Sequence, residues 1–202
     1  IVKLLVEYGL EIEPENDYED YSSLELAVES NNKDILDYLI SKGANINFIN
    51  AQGKTLLDAA IVKNNYEMVE YLISKGIKMD KEILSSSIYY AIEKNSSLKI
   101  VKYLIEKGAD LKNLNIGDYQ NPLFQAVENK NYELLEFLVN AGFDIYDLDA
   151  NKNTPLDIAI YNKDYKAINL FLNKIEFIDN KSFKSLLTVL MVNDGTSIDL
   201  FK

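Results

Sequence analysis

The stretch Leu39-Ile40-Ser41-Lys42-Gly43-Ala44-Asn45-Ile46-Asn47 is followed, at a nearly constant distance, by relatives of itself. Leu72-Ile73-Ser74-Lys75-Gly76 and Leu104-Ile105-Glu106-Lys107-Gly108-Ala109-Asp110-Leu111 come after it, then Leu138-Val139-Asn140-Ala141-Gly142. Leu4-Leu5-Val6-Glu7-Tyr8-Gly9 comes before it. The glycines Gly9, Gly43, Gly76, Gly108 and Gly142 are separated by 34, 33, 32 and 34 residues. A second marker keeps the same period: Ala27, Ala60, Ala91, Ala126 and Ala159 are 33, 31, 35 and 33 apart. A period in this range is the mark of a repeat architecture. The third unit carries one extra residue within Asn95-Ser96-Ser97-Leu98, and the fifth has Ile175 where the glycine would fall.

Each unit reads as two short helices. In the second, Ile35, Leu36, Leu39 and Ile40 recur as Met68, Val69, Leu72 and Ile73, as Ile100, Val101, Leu104 and Ile105, and as Leu134, Leu135, Leu138 and Val139. That spacing puts four apolar side chains on one helical stripe. The closing glycine suits the left-handed residue just past a helix end. Lys42, Lys75 and Lys107 are expected in the last turn, at the negative end of the helix dipole. The first helix is shorter and holds the alanine, which allows close approach of a neighbour. Thr154 before Pro155 fits an N-cap followed by proline at the first helical position, and Asn121-Pro122 repeats it. Thr55 and Ser86 are candidate caps by the same analogy. The Tyr38, Tyr71, Tyr103 and Phe137 ladder recurs at one helical position and reads as packing. One unit cannot bury its stripe alone, whereas stacked neighbours can.

The units resemble the ankyrin repeat. That family's unit opens with Thr-Pro-Leu-His-x-Ala, and Thr154-Pro155-Leu156-Asp157-Ile158-Ala159 is similar to it. Asn121-Pro122-Leu123-Phe124-Gln125-Ala126 and Thr55-Leu56-Leu57-Asp58-Ala59-Ala60 match in part, Ser22 to Ala27 and Ser86 to Ala91 weakly. Gly43-Ala44-Asn45-Ile46-Asn47 looks like the family's Gly-Ala-Asp-Val-Asn. The resemblance implies an all-α solenoid of stacked helix-turn-helix units with short hairpin-like fingers. It implies a single array over 1–202: a second helix at 1–9, repeats at about 16–48, 49–81, 82–113, 114–147 and 148–180, and a partial repeat at 181–202. Leu186 to Val192 reads as a first helix there, and Ile198-Asp199-Leu200-Phe201 echoes Ile168-Asn169-Leu170-Phe171. The motif histidine, whose hydrogen bonds tie family repeats together, is replaced by Glu25, Asp58, Tyr89, Phe124 or Asp157, so the bonding between repeats must differ. The finger glycine survives only as Gly53, and the third finger, Lys78 to Ser85, is too short for a hairpin. Ile1 falls inside an apolar helical pattern, so further sequence is expected before it.

Composition narrows the function. The chain has 202 residues, with no cysteine, no histidine and no tryptophan. That excludes a Ser-His-Asp or Cys-His relay, a Cys/His zinc site and a disulfide framework. Net charge is -11, and all 21 basic residues are lysine. An acidic chain without arginine forks is a poor partner for nucleic acid. No run approaches the roughly 18 apolar residues of a membrane span. A cysteine-free chain takes the cytoplasm as its default, with a secreted effector as the other setting. Asp147, Asp149, Asn151 and Asn153 alternate like the start of a calcium loop. Positions six and twelve are Lys152 and Ile158, where such a loop needs Gly and Glu, so a polar finger is the better reading. No cofactor, metal or catalytic residue is indicated.

The resemblance implies instead a non-catalytic scaffold that docks a partner protein on the concave face, built from finger tips and first helices. On the first helices and their ends the candidate contacts are Glu29, Val62, Lys63, Glu93, Lys94, Glu128 and Tyr161. On the fingers they are Ile49, Gln52, Lys54, Asp118, Gln120, Leu148, Asn151 and Asn153. Tyr18 and Tyr21 add aromatic area beside the acidic run of Glu11, Glu13, Glu15, Asp17, Glu19 and Asp20. That run is either a solvated loop or a lure for a basic partner. The alternative function is a structural spacer or regulatory arm packing on another domain of a longer chain.

Overall fold

A computed structural model describes residues 22–111, 121–174 and 183–184. Several expectations lie outside them: the helix at 1–9, the acidic run with Tyr18 and Tyr21, Asp118 and Gln120, Ile175, and the elements after 184. The chain divides into two compact units, Ile1–Asp110 and Leu111–Lys202. The first contains α1 (Ser23–Glu29), α2 (Lys33–Ser41), α3 (Leu56–Val62), α4 (Tyr66–Ser74), α5 (Lys81–Glu93) and α6 (Leu98–Glu106). The second contains α7 (Pro122–Glu128), α8 (Tyr132–Asn140), α9 (Pro155–Tyr161) and α10 (Tyr165–Leu172). The helices pair as the repeat requires. Each first helix packs on its own second helix, and within each unit first helices of successive repeats pack together: α1 on α3, α3 on α5, and α7 on α9.

The apolar stripe is the core. Leu36, Leu39, Met68, Val69, Leu72, Ile100, Val101 and Leu104 are at most 2% exposed in the first unit. Leu134, Leu135, Leu138, Ile168 and Phe171 are equally buried in the second. Burying one such side chain fully contributes about 1.5–3 kcal/mol, so the stripe outweighs the weak propensity of seven- to nine-residue helices. The alanines Ala27, Ala60, Ala91, Ala126 and Ala159 are at most 3% exposed, where first helices meet.

Local signals set the ends. Ser22, Thr55 and Thr154 each cap a first helix in a capping box, with Glu25, Asp58 and Asp157 at the third helical position. Asn121 caps α7 with Pro122 behind it. Gly43, Gly76, Gly108 and Gly142 close the second helices at positive φ. Lys42, Lys75 and Lys107 stand one residue past the last turn, as C-caps. Their amines reach back over the rings of Tyr38, Tyr71 and Tyr103, at 5.6, 5.0 and 5.0 Å from the centroids. The ladder residues are half-buried packing, as their periodicity implies.

The third repeat departs from its neighbours in two ways. Its first helix, α5, runs 13 residues from a cap at Asp80, so it occupies the segment where a finger would be. Ser86 is therefore no cap: it lies inside α5 and its hydroxyl donates to the Ile83 carbonyl, 2.9 Å away. The extra residue after α5 is absorbed by Ser96, 1% exposed, whose hydroxyl donates to the Ile61 carbonyl at 3.0 Å. Asn95 is left-handed in this turn; in the other repeats that residue is Asn31, Asn64, Lys130 or Lys163. An Asn or Asp cap follows it: Asn32, Asn65, Asn131 or Asp164.

Candidate functional site

Two of the residues that replace the motif histidine, Glu25 and Asp58, bond to the next repeat. Glu25 Oε2 accepts from the Ser22 amide at 2.8 Å and closes its own helix start. Its other oxygen accepts from Asn50 Nδ2 of the next finger at 2.9 Å. Asp58 repeats the division: Oδ2 accepts from the Thr55 amide and hydroxyl at 2.9 and 2.8 Å, and Oδ1 from the Ser87 hydroxyl at 3.0 Å. A carboxylate has enough lone pairs for both tasks. Phe124, at the same position in α7, is 1% exposed and acts through packing. Tyr89 is partly buried and meets Tyr90 edge to face, centroids 5.4 Å apart.

The finger at 49–55 is built around Asn50. Ile49 and Thr55 form an antiparallel bridge, and the Asn50 amide donates to the Lys54 carbonyl at 2.9 Å. Asn50 Oδ1 accepts from the amides of Gln52 and Lys54 at 3.1 and 2.9 Å. Gly53, at φ 74°, makes the reversal. In the second unit Asp149 does the same work, accepting from the amides of Asn151 and Asn153 at 2.8 Å each. Its other oxygen takes Asn153 Nδ2 at 3.3 Å. The alternating Asp/Asn residues thus close a finger. Lys152 takes the glycine's place at φ 62°.

Four of the expected contact residues, Glu29, Gln52, Lys54 and Val62, line one cleft of about 320 Å³ in the first unit. Glu25, Asn50, Asp58 and Ala59 complete it. Glu25 and Glu29 are one helical turn apart on α1, and Asp58 and Val62 one turn apart on α3, so the two helices present matching edges. Around the cleft, the Lys63 amine stands 3.6 Å from Glu29. The Lys54 amine lies 5.3 Å from the centroid of the Tyr90 ring. Burial raises the Asp58 carboxyl above its ordinary range, against the opposing pull of Thr55, Ser87 and Lys54. Glu93 and Lys94 pair with each other at 2.9 Å, which raises the Lys94 amine. Ile49 is 53% exposed. In the second unit Leu148 and Tyr161 are exposed, Tyr161 by 85%. Asn151 and Asn153 sit in its finger, and Glu128 is exposed at the end of α7.

Sequence reasoning assigned no site role to Glu25, Asn50, Asp58 or Ala59. The signal for two of them was the spacing Ser22 to Glu25 and Thr55 to Asp58, a capping-box pattern that seats an acid at the helix start. Among the described residues no helix is long and apolar enough to cross a membrane.

Comparison with known proteins agrees with this geometry. A family profile described as "Ankyrin repeats (3 copies)" matches residues 1–83 and 88–182. A Borreliella burgdorferi protein named for ankyrin repeats is 30% identical over 92 residues, 46% of this chain and 42% of that one. Alpha-latrotoxin-Lg1a of Latrodectus geometricus is 33% identical over 90 residues, 43% of this chain and 6% of the toxin. Interferon antagonist OPG040 of Vaccinia virus is 30% identical over 120 residues, 57% of this chain and 41% of that protein. The chain thus spans less than half the length of each. The crystal structure of the human ASB11 ankyrin repeat domain has the same fold, with a TM-score of 0.69 at 18% identity, covering 98% of this chain and 93% of that one.

Proposed function

Since the chain belongs to the ankyrin-repeat family, whose repeats are generally protein–protein interaction modules, we propose that it is a non-catalytic scaffold. It holds a partner protein on the face formed by fingers and first helices. One observation carries the reading. Two residues after the alanine common to all five first helices stand Glu29, Val62, Glu93, Glu128 and Tyr161: three glutamates, a valine and a tyrosine. The alanines are buried and identical, while this half-buried or exposed position holds Glu, Val or Tyr. A constant frame with a varied face suits recognition of one irregular surface. Tyr161 is the best anchor on it, since a tyrosine buries large area at small entropy cost.

The test is affinity capture with the parent chain and with a variant in which Gln52, Lys63, Glu93 and Tyr161 are alanine, both shown to be folded. A protein retained by the parent and lost by the variant is the expected result. Equal retention by both would refute the face. The alternative, a spacer or regulatory arm packing on another domain of a longer chain, expects no retained protein at all.

A further inference from the structure

The cleft of the first unit has an uneven charge balance. Glu25 and Asp58 are 5% and 0% exposed. The hydrogen bonds they accept come from neutral groups, the amides, hydroxyls and carboxamide of Ser22, Asn50, Thr55 and Ser87. Glu29 adds a third carboxylate and Lys54 the ammonium that lines the same space. Lys54 points its charge at the Tyr90 ring, and Lys63 reaches Glu29 only at 3.6 Å. Carboxylates buried among dipoles keep their field, and a recess with low-dielectric walls focuses it. The lining also has an apolar part on α3: Ala59, and Val62, which is 44% exposed. The acids do not converge as a chelate, since no group of three or more that could hold a metal ion occurs among the described residues. Acidic groups beside apolar surface in one cleft complement a long side chain with a methylene stem and a cationic end.

We propose that this cleft seats one lysine or arginine side chain, carried on an extended segment of the partner protein. The stem lies on Ala59 and Val62 and the charge faces Glu29, over the buried Glu25 and Asp58. The proposal rests on the scaffold reading and adds the chemistry of the partner. In a chain of net charge -11, attraction of a basic segment also speeds encounter.

The test uses a library of random dodecapeptides displayed on phage, selected on the whole chain, with the enriched peptides then synthesised and their binding measured by fluorescence anisotropy. The expected result is a shared Lys or Arg, whose replacement by norleucine weakens binding at least about tenfold. Glu29→Gln, at an exposed position, weakens it about fivefold. Val62→Lys, which places a cation in the cleft, abolishes it, and Glu133→Gln on α8 leaves it unchanged. Circular dichroism confirms that each variant is folded. Enriched peptides that are blocked by Val62→Lys but carry no essential basic residue would overturn the charge assignment and leave the docking face standing. Peptides indifferent to both cleft variants, or no enrichment, would overturn the cleft as a docking site. Self-association relieved by Glu29→Gln would assign the cleft to a lysine of a second copy and overturn the partner assignment. An arginine-dependent peptide argues against that source, because the chain has no arginine.

Discussion

Replacing Asp58 by alanine should cost the protein about 2 kcal/mol. The figure follows from what the side chain does. Its Oδ2 holds the amide and hydroxyl of Thr55 at the start of α3, and losing such a cap arrangement costs about 1 kcal/mol. Its Oδ1 is the acceptor for the Ser87 hydroxyl on α5. Ser87 is 0% exposed, so no water can replace the acceptor, and an orphaned buried hydroxyl costs about 1–3 kcal/mol. Release of a desolvated charge offsets part of the sum. Asparagine separates these contributions. With its carbonyl toward Thr55 and its amide donating to Ser87 Oγ, each contact keeps a hydrogen bond; the Ser87 hydroxyl proton loses its acceptor, and loss of the buried charge offsets that cost. Asp58→Asn should therefore lie within about 1 kcal/mol of the parent near neutral pH. The pH dependence has a definite sign. Burial raises the folded-state pKa of Asp58 above its value in the unfolded chain, so the ionised carboxylate disfavours folding. That penalty is full above the folded pKa and fades as pH falls through it toward the unfolded value. Parent stability should thus rise relative to Asp58→Asn on acidification from about pH 7 to about pH 4. Urea titrations of the three proteins at several pH values measure all of this. A cost under about 1 kcal/mol for alanine, or a parent-to-asparagine difference flat in pH, would refute the reasoning.

Two further outcomes test the turns and the coupling between repeats. Lys130 and Lys163 adopt φ of 52° and 54°, where Asn31, Asn64 and Asn95 stand in the other repeats. Changing both lysines to asparagine should raise stability by about 1 kcal/mol in a thermal or urea melt, because asparagine tolerates the left-handed region better. The Tyr132 hydroxyl lies 3.1 Å from both carboxylate oxygens of Asp164, the cap of α10. Tyr132→Phe should lower stability by about 1–2 kcal/mol, read in the same melt, with the α8 and α10 packing intact.

The repeat, its helices and its buried stripe were legible in the chain because they rest on local rules that recur along it. Glycine at a left-handed helix end, Thr-Pro at a helix start and four apolar residues on one stripe need no distant partner to be recognised. The first-helix alanine was legible for a related reason: a small residue held at one position marks close approach. Periodicity could not reveal how repeats are tied across their boundaries. Glu25 and Asp58 looked like losses of the motif histidine, yet each divides its two oxygens between its own helix start and the next repeat. Only the packing of α1 on α3 and of α3 on α5 places Asn50 and Ser87 within reach. The third repeat shows the same limit. Lys78 to Ser85 lacks a finger's residues, but whether it becomes loop or helix depends on the Asp80 cap and on burial of Leu84 and Ile88. The cleft belongs wholly to tertiary structure, since its walls come from one finger and two helices separated in sequence. A charge's neighbours across such a gap are set by packing distance, which no spacing along the chain encodes.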